Sequence, residues 1–285
     1  MNYRHIYHAG NFADVMKHAL LAWLIAYLGR KETPFRLIDT HAGIGLYDLD
    51  ADEAQRTGEA DGGVGLIETP FSPAIEEALA PYRAALAAVR ARYGARAYPG
   101  SPAIARELLR RQDRGVFVEL HPADADVLAV RFNSVANLKV LHLDGWTALS
   151  SLIPPKEKRG LVLIDPPFEK AGELDRLVER MLAAARKWPT GVYVGWYPIK
   201  YPKEIDRAAA GFADLARPAL RLELTIDRPG PEPRLVGCGL FVINPPYTLA
   251  ETAGRLLPAL AERLGREGRG GSRIEAIGAA GEGRS

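Results

Sequence analysis

The sequence predicts an α/β protein built on a largely parallel β-sheet. Short apolar runs recur along the chain, most without strict alternation of polar and apolar residues, as expected for strands that are buried on both faces. Helical patterns separate most of these runs, which predicts crossover helices between parallel strands. The chain has 285 residues, of which 47% are hydrophobic and 25% charged. It is long enough to bury a full core.

Seven runs are predicted as strands. They cover residues 35–39, 115–120, 138–143, 161–165, 192–197, 220–226 and 236–243. The last two are separated only by residues 227–235, a loop rich in Pro and Gly, so we predict that they pair as an antiparallel hairpin. The sequence therefore predicts a doubly wound, seven-stranded, mainly parallel sheet with an antiparallel last strand.

The first helix is predicted from Phe12 to Leu28, with Asn11 as its N-cap and Gly29 as its end. Its longest apolar stretch, residues 19–28, is about half of what a bilayer span requires, so we expect a buried helix. The N-terminus lacks the pattern of a signal peptide. We therefore expect a cytoplasmic protein without a membrane partner.

Two regions depart from the alternation of strands and helices. Ser72-Pro73 predicts a helix start, with the helix running towards Tyr93 and kinked or broken at Pro81. We predict an inserted, mainly helical subdomain over residues 48–93 and a main domain formed by residues 1–47 and 94–264. The Gly- and Arg-rich residues 265–285 are predicted to be a flexible tail.

Ser101-Pro102 predicts the start of the crossover helix that follows the insertion, with Ser101 as the cap and the end near Arg111.

The net charge of +2 neither requires nor excludes a nucleic-acid partner. Of the 37 basic residues only nine are lysine, and arginine suits phosphate and base recognition, although a GC-rich genome would also favour arginine. The single cysteine, Cys238, cannot form an internal disulfide. His5 and His8 have no Cys or carboxylate cluster beside them in the sequence, so we predict no metal.

Acidic residues end three of the predicted strands. Asp39 precedes a Gly-containing turn at residues 40–45, which marks the usual ligand crevice of an open α/β sheet or merely reverses the chain. Glu119 and Asp144 end the next two strands, where they suit a ribose diol and an adenine amine, or cap helices. Taken together, the three acids favour a cofactor that contains a nucleoside.

The motif Asp165-Pro166-Pro167-Phe168 follows the fourth strand. Two prolines stiffen the chain and remove two backbone donors, so a carboxylate, free carbonyls and an aromatic ring face one ligand. This group suits a planar exocyclic amine: the oxygens accept its protons and the ring stacks on its face. The alternative is a rigid strand-to-helix turn.

A second motif of the same form, Asn244-Pro245-Pro246-Tyr247, follows the last strand. Because that strand is predicted to be antiparallel, its end lies at the opposite edge of the sheet. We therefore predict that Asn244 is structural.

Several segments of the sequence resemble one family. These are Tyr3-Arg4-His5, His8-Ala9-Gly10-Asn11, Ala13-Asp14-Val15, Lys17-His18, Asp39-Thr40-His41-Ala42-Gly43, Tyr98-Pro99-Gly100-Ser101-Pro102, Glu119-Leu120-His121-Pro122 and Asp165-Pro166-Pro167. They resemble the RlmJ family of Rossmann-like class I methyltransferases, which use S-adenosylmethionine to methylate N6 of an adenine in 23S ribosomal RNA. The resemblance extends to about Leu264.

The resemblance implies roles for individual residues. The residues implied to bind S-adenosylmethionine are His18, His41, Gly43, Ser101, Glu119, Asp144, Gly145 and Asp165. Asp165, Pro166 and Phe168 are implied to be catalytic, and Tyr3 and Phe168 to contact the RNA. The family commonly has Tyr where this chain has Phe168, so stacking is kept while a hydroxyl is lost.

We therefore expect a cytoplasmic, monomeric enzyme that acts on 23S ribosomal RNA. Two alternatives stay open at this point: an amine methyltransferase for DNA adenine or a protein amide, and an inactive RNA-binding factor in ribosome assembly.

Overall fold

The computed structural model describes residues 5–230 and 234–278, which form one eight-stranded sheet, one two-stranded sheet and surrounding helices. The strands are β1 (Arg36–Asp39), β2 (Leu46–Asp48), β3 (Ala97–Pro99), β4 (Arg114–Glu119), β5 (Leu138–His142), β6 (Gly160–Ile164), β7 (Val192–Ile199), β8 (Ala219–Thr225), β9 (Gly237–Ile243) and β10 (Gly271–Ala276). The α-helices are α1 (Phe12–Gly29), α2 (Asp52–Thr57), α3 (Pro73–Tyr93), α4 (Ser101–Leu108), α5 (Pro122–Phe132), α6 (Gly145–Ser151), α7 (Glu173–Lys187), α8 (Pro202–Ala210) and α9 (Leu249–Leu264). Short 3-10 helices cover His5–Tyr7 and Arg266–Gly268.

The main sheet has the strand order β10-β8-β9-β7-β6-β1-β4-β5. The neighbours from β7 to β5 are parallel, whereas β9 is antiparallel to both β7 and β8. This confirms the mainly parallel sheet and the antiparallel hairpin. The parallel strands and β8 all end at one edge, which we call the carboxyl edge, and β9 and β10 begin there.

Helix α1 begins where the sequence predicts. The side chain of Asn11 accepts hydrogen bonds from the backbone N–H of Ala13 (2.9 Å) and of Asp14 (3.0 Å), which satisfies two of the donors that a helix start leaves unpaired. By length and composition α1 is the one helix of the described residues that could cross a membrane, and 83% of that window is buried inside the protein. It packs against α3, α4 and α9.

The predicted insertion contains the long helix α3, with Ser72 at its N-cap position. Of the two predicted effects of Pro81, a kink or a break, the break is wrong, because α3 continues from Pro73 to Tyr93. The buried side chains of α3 belong to the same hydrophobic core as those of α1, so the helix covers the main domain. That packing explains why one interior proline does not end it, since tertiary contacts offset a lost backbone hydrogen bond.

Residues 265–278, predicted as part of a flexible tail, are instead ordered in the fold. After the 3-10 helix they form β10, which pairs antiparallel with β8 from Gly271↔Thr225 to Ala276↔Leu220. The flexible-tail prediction is therefore wrong for this segment, because backbone pairing and ion pairs hold a strand that has few apolar residues. Residues 279–285 lie outside the described residues.

Candidate active site

A cleft of about 900 Å³ opens at the carboxyl edge of the sheet. Every residue that was predicted for the site and that the structure describes lines this cleft. They are His18, His41, Gly43, Ser101, Glu119, Asp144, Gly145, Asp165, Pro166 and Phe168. Tyr3 lies outside the described residues. The topology thus brings residues from six distant parts of the chain to one place.

The Gly-containing turn after β1 is tied to the end of β4. The backbone N–H of Gly43 donates to Glu119 Oε2 (2.9 Å), and the N–H of His121 donates to Glu119 Oε1 (2.7 Å). Burial raises the pKa of Glu119, and the two backbone donors oppose that change. Gly43 has a φ of 59°, and an added Cβ would lie 2.6 Å from the Tyr47 hydroxyl, so the turn requires glycine.

Asp39 lies fully buried behind this turn. It accepts hydrogen bonds from the Ser101 hydroxyl (2.6 Å) and from the backbone N–H of His41 (3.2 Å). Burial raises the pKa of Asp39 to about 7. The predicted cap role of Ser101 is wrong: Gly100 is the N-cap of α4, and Ser101 instead joins α4 to the end of β1. The predicted end near Arg111 is also wrong, because α4 ends at Leu108.

The end of β5 positions the next group. Asp144 caps α6 by accepting from the backbone N–H of Thr147 (2.8 Å). It also lines the cleft, so one residue fills both of the roles that the sequence left open. Gly145 packs so closely on His41 that an added Cβ would lie 2.8 Å from its ring. Burial lowers the pKa of His41 to about 4, which keeps the ring neutral at neutral pH.

The motif after β6 faces a lysine from α1. Lys17 Nζ lies 2.7 Å from Asp165 Oδ2 and 3.0 Å from Asp14 Oδ1, so one cation is shared by two carboxylates. Phe168 has a φ of 53°, and its ring meets that of Trp196 edge-on with 5.7 Å between centroids. The aromatic ring is therefore held beside the carboxylate that precedes it by three residues.

Asp14 organises the start of α1. Its Oδ2 accepts from His5 Nε2 and from the backbone N–H of Gly10, each at 2.9 Å. Burial opposes the charge of Asp14, but His5, Lys17 and His18 together hold its pKa well below the usual range. Burial lowers the pKa of His18 to about 3, and its Nδ1 lies 2.9 Å from the Tyr98 hydroxyl.

Three of these residues were not singled out from the sequence for the site: Asp14, Lys17 and Trp196. The sequence does contain a signal for Asp14 and Lys17: they are opposite charges at i and i+3 in an otherwise apolar helix, where unpaired charges would be costly. Nothing in the sequence indicates that Trp196 lies against Phe168, since β6 and β7 bring them together.

The second Pro-Pro motif lies at the other edge of the sheet. The Asn244 side chain donates to the carbonyls of Pro189 (2.9 Å) and Gly191 (2.7 Å). It does not line the cleft. Among the residues that the structure describes, no group of three or more His, Cys, Asp or Glu side chains is placed to hold a metal ion.

A sheet of this order, with acids at the ends of successive strands around one cleft, is that of a Rossmann-like class I methyltransferase. A family model described as "Ribosomal RNA large subunit methyltransferase D, RlmJ" matches residues 32–277, and the chain belongs to this RlmJ family.

Named relatives agree with this assignment. The chain is 38% identical to a "Ribosomal RNA large subunit methyltransferase J" of Haemophilus influenzae and 36% identical to that of Escherichia coli. Each alignment covers 97% of this chain and 99% of the relative. The chain is also 32% identical in sequence to a Legionella pneumophila protein whose crystal structure is known. The two structures superpose with a TM-score of 0.82, covering 95% of this chain and 99% of the other.

Proposed function

We propose that this protein transfers a methyl group from S-adenosylmethionine to the exocyclic N6 of one adenine in 23S ribosomal RNA. The observation that carries the proposal is the convergence on one cleft of the Asp165-Pro166-Pro167-Phe168 motif and the acids that end β4 and β5. Two relatives that match nearly the whole chain are named as methyltransferases of large-subunit ribosomal RNA, which supports the same substrate here.

The donor set of the cleft fits S-adenosylmethionine. Each oxygen of Glu119 holds one backbone donor and keeps capacity for another, as a ribose diol requires. Asp144 uses Oδ1 for its cap, so Oδ2 suits an adenine amine. The cofactor supplies an electrophilic methyl group on a sulfonium. The volume of about 900 Å³ is large enough for the cofactor and a base together.

The adenine amine is a poor nucleophile because its lone pair is conjugated with the ring. Asp165 Oδ2 is held by Lys17, and within the described residues Oδ1 accepts no hydrogen bond, so Oδ1 can accept one from N6. The Pro166 carbonyl would accept the second proton. Holding both protons favours a pyramidal nitrogen whose lone pair points at the methyl group.

Phe168 would stack on the adenine after the base is flipped out of the RNA. Its edge-on contact with Trp196 fixes the plane of its ring, so the base is held in one orientation. Lys17 has a separate role: its ammonium group lies 2.7 Å from Asp165 Oδ2 and fixes the orientation of the carboxylate that accepts a hydrogen bond from the amine.

The direct test is methyl transfer from labelled S-adenosylmethionine by the purified protein. Equal amounts of a 23S RNA transcript, the matching duplex DNA and extracted ribosomal proteins are offered, and products are hydrolysed to identify the modified group. We expect N6-methyladenine in the RNA alone. Transfer to DNA or protein, or cofactor binding without turnover on any ribosomal RNA, would overturn the proposal.

The adenine and the preferred form of the substrate are tested next. Mapping of N6-methyladenine in 23S RNA from a deletion strain identifies the nucleotide as the position that loses its methyl group. We expect free RNA to be methylated faster than assembled large subunits, because a flipped base must enter a cleft that also involves Glu53 and Glu59 of the 48–93 segment. Equal or faster methylation of intact subunits would contradict this.

We also propose that the enzyme works in the cytoplasm as a monomer. Analytical ultracentrifugation at assay concentration should give the mass of one chain.

A further inference from the structure

Four arginines gather at the carboxyl edge, at the end of the sheet away from β5. We call Arg228, Arg234, Arg266 and Arg269 the arginine cluster. The topology explains the grouping, because β8 ends at this edge and β9 and β10 begin there. Arg228 follows β8, Arg234 precedes β9, and the other two lie just before β10.

Asp227 lies buried in the middle of the cluster. Its carboxylate is 2.9 Å from Arg234 Nη2 and 2.8 Å from Arg269 Nε. Arg269 also pairs with the exposed Glu267 at 3.1 Å. These contacts fix the shape of the cluster around a carboxylate that is only 4% exposed.

The cluster keeps an excess of positive charge. Arg228 and Arg266 are exposed, and neither guanidinium forms an ion pair within residues 5–230 and 234–278. Four guanidinium groups therefore surround two carboxylates among the residues described. Exposed arginines without an acidic partner are suited to bind phosphate, because their planar fork donates in pairs to its oxygens.

The cluster is continuous with the active-site cleft. Leu235, next to Arg234, lines the cleft, and so does the exposed Lys200 at the end of β7. Lys200 lies between the cluster and Asp165 in the strand order β8-β9-β7-β6. Lys200 thus places a cationic group at the carboxyl edge between the cluster and Asp165.

We propose that the arginine cluster binds phosphates of the substrate RNA on one side of the target adenine. This inference rests on the proposed function. Three strand spacings of about 4.8 Å separate β8 from β6, which puts the cluster roughly 14 Å from the strand that ends at Asp165. At about 3.4 Å per stacked nucleotide, the contacted phosphates lie about four nucleotides from the flipped base.

The test compares two double variants that lose the same charge. R228Q with R266Q removes the two cluster arginines that hold no ion pair, so Asp227 keeps both partners. R30Q with R111Q removes two exposed arginines at the opposite edge of the sheet. Equilibrium RNA binding is measured at several salt concentrations, with cofactor binding and thermal unfolding as checks on the fold.

The expected result is that the cluster variant binds the RNA about tenfold more weakly at physiological salt. Its log–log salt slope should also be smaller by about 1.4, because each lost phosphate contact on a single strand changes the slope by about 0.7. The opposite-edge variant should bind within twofold of the unmodified protein. Turnover at saturating RNA should stay unchanged in both, since neither pair touches the reacting groups.

RNA fragments of decreasing length locate the contact. Fragments that extend fewer than about four nucleotides on the contacted side should bind the cluster variant and the unmodified protein equally. Equal loss in the two double variants, or loss that persists on the shortest fragments, would overturn the inference. Failure of the proposed function looks different: the unmodified protein would then methylate none of the RNAs.

Discussion

The two Pro-Pro motifs have nearly the same local sequence and different surroundings. Asp165 ends β6 at the carboxyl edge, where its carboxylate meets Lys17 in the cleft. Asn244 follows β9 at the opposite edge, where its amide donates to two backbone carbonyls of the loop between α7 and β7. The following aromatic residue differs as well: Phe168 packs on Trp196, whereas Tyr247 is 88% exposed.

The difference shows that strand direction, and not the motif, decides which copy faces the cleft. Even the strained residue is not the same. Phe168 has the positive φ in the first motif and Asn244 has it in the second, each at 53°. In the first, the turn presents a ring to the cleft. In the second, the Asn244 amide donates to the loop between α7 and β7, and Asn tolerates a positive φ better than most residues.

The largest expected effect is on turnover. Asp165→Ala should reduce single-turnover methylation of an RNA fragment by roughly 100- to 1,000-fold, because one preorganised acceptor for the amine is lost. Asp165→Asn should keep part of the rate, since an amide oxygen still accepts one hydrogen bond.

Asn244→Ala is the matched control for that experiment. It should lower the free energy of unfolding by about 1 kcal/mol for each lost hydrogen bond and leave turnover per folded molecule nearly intact. If Asn244→Ala lost turnover and Asp165→Ala kept it, the active site would lie at the edge of Asn244, and its assignment to the carboxyl edge would be wrong.

Lys17→Met tests the contact between Lys17 and Asp165 at the carboxyl edge. Loss of a charge-assisted contact to Asp165 should slow turnover by about 10- to 100-fold. Without the lysine the carboxylate loses the contact that fixes its orientation, and single-turnover methylation of the RNA fragment measures the defect. Lys31→Met, at an exposed lysine of the other edge, is the control. Turnover in Lys17→Met as fast as in Lys31→Met would contradict this role.

Phe168→Ala compared with Tyr247→Ala tests the two aromatic residues. Stacking of a base on an aromatic ring contributes about 1–3 kcal/mol, so Phe168→Ala should weaken binding of the target RNA by about tenfold or more. Tyr247→Ala should change neither RNA affinity nor stability by more than about 0.5 kcal/mol, because its side chain is exposed. Titration calorimetry with the RNA fragment measures the RNA affinity of both variants.

The last expected effect concerns the pH dependence of stability and does not involve turnover. The folded-state pKa of Asp39 is raised to about 7, above its value in the unfolded chain. The folded protein therefore binds more protons than the unfolded chain between about pH 4 and 7, and this group lowers stability as the pH rises through that window. Asp39→Asn removes this loss.

Urea denaturation of Asp39→Asn and of the unmodified protein at several pH values measures the effect. The variant should gain in relative stability by up to about 1.4 kcal/mol per pH unit up to about pH 7, and no further above it. The effect of Asn244→Ala, where no ionisable group is removed, should not vary over the same range. A relative stability of Asp39→Asn that is flat or falls as the pH rises would refute the assignment.

Local sequence predicted much of this fold because the relevant signals are short in range. Asn11 caps α1 through the two N–H groups that follow it, and the apolar runs form the seven predicted strands. The direction of the last strand followed from a short loop. These features depend on residues that are close together in the chain, so patterns and caps were sufficient.

The interaction of Lys17 with Asp165 could not be predicted in this way. The two residues are 148 positions apart, and only the packing of α1 against the sheet places them 2.7 Å from each other. Ser101 is a second example. Its position before Pro102 predicted a helix cap, but in the fold its hydroxyl donates to the buried carboxylate of Asp39.

The sequence by itself determined the α/β class, the strand-end acids and the Asp165-Pro166-Pro167-Phe168 motif. Only the tertiary structure decided that α3 continues through Pro81 and that residues 271–276 complete the sheet as β10. The physical reason is the same in both cases. A proline within a helix and a strand with few apolar residues are unfavourable locally, and contacts with distant parts of the chain supply the free energy that makes them stable.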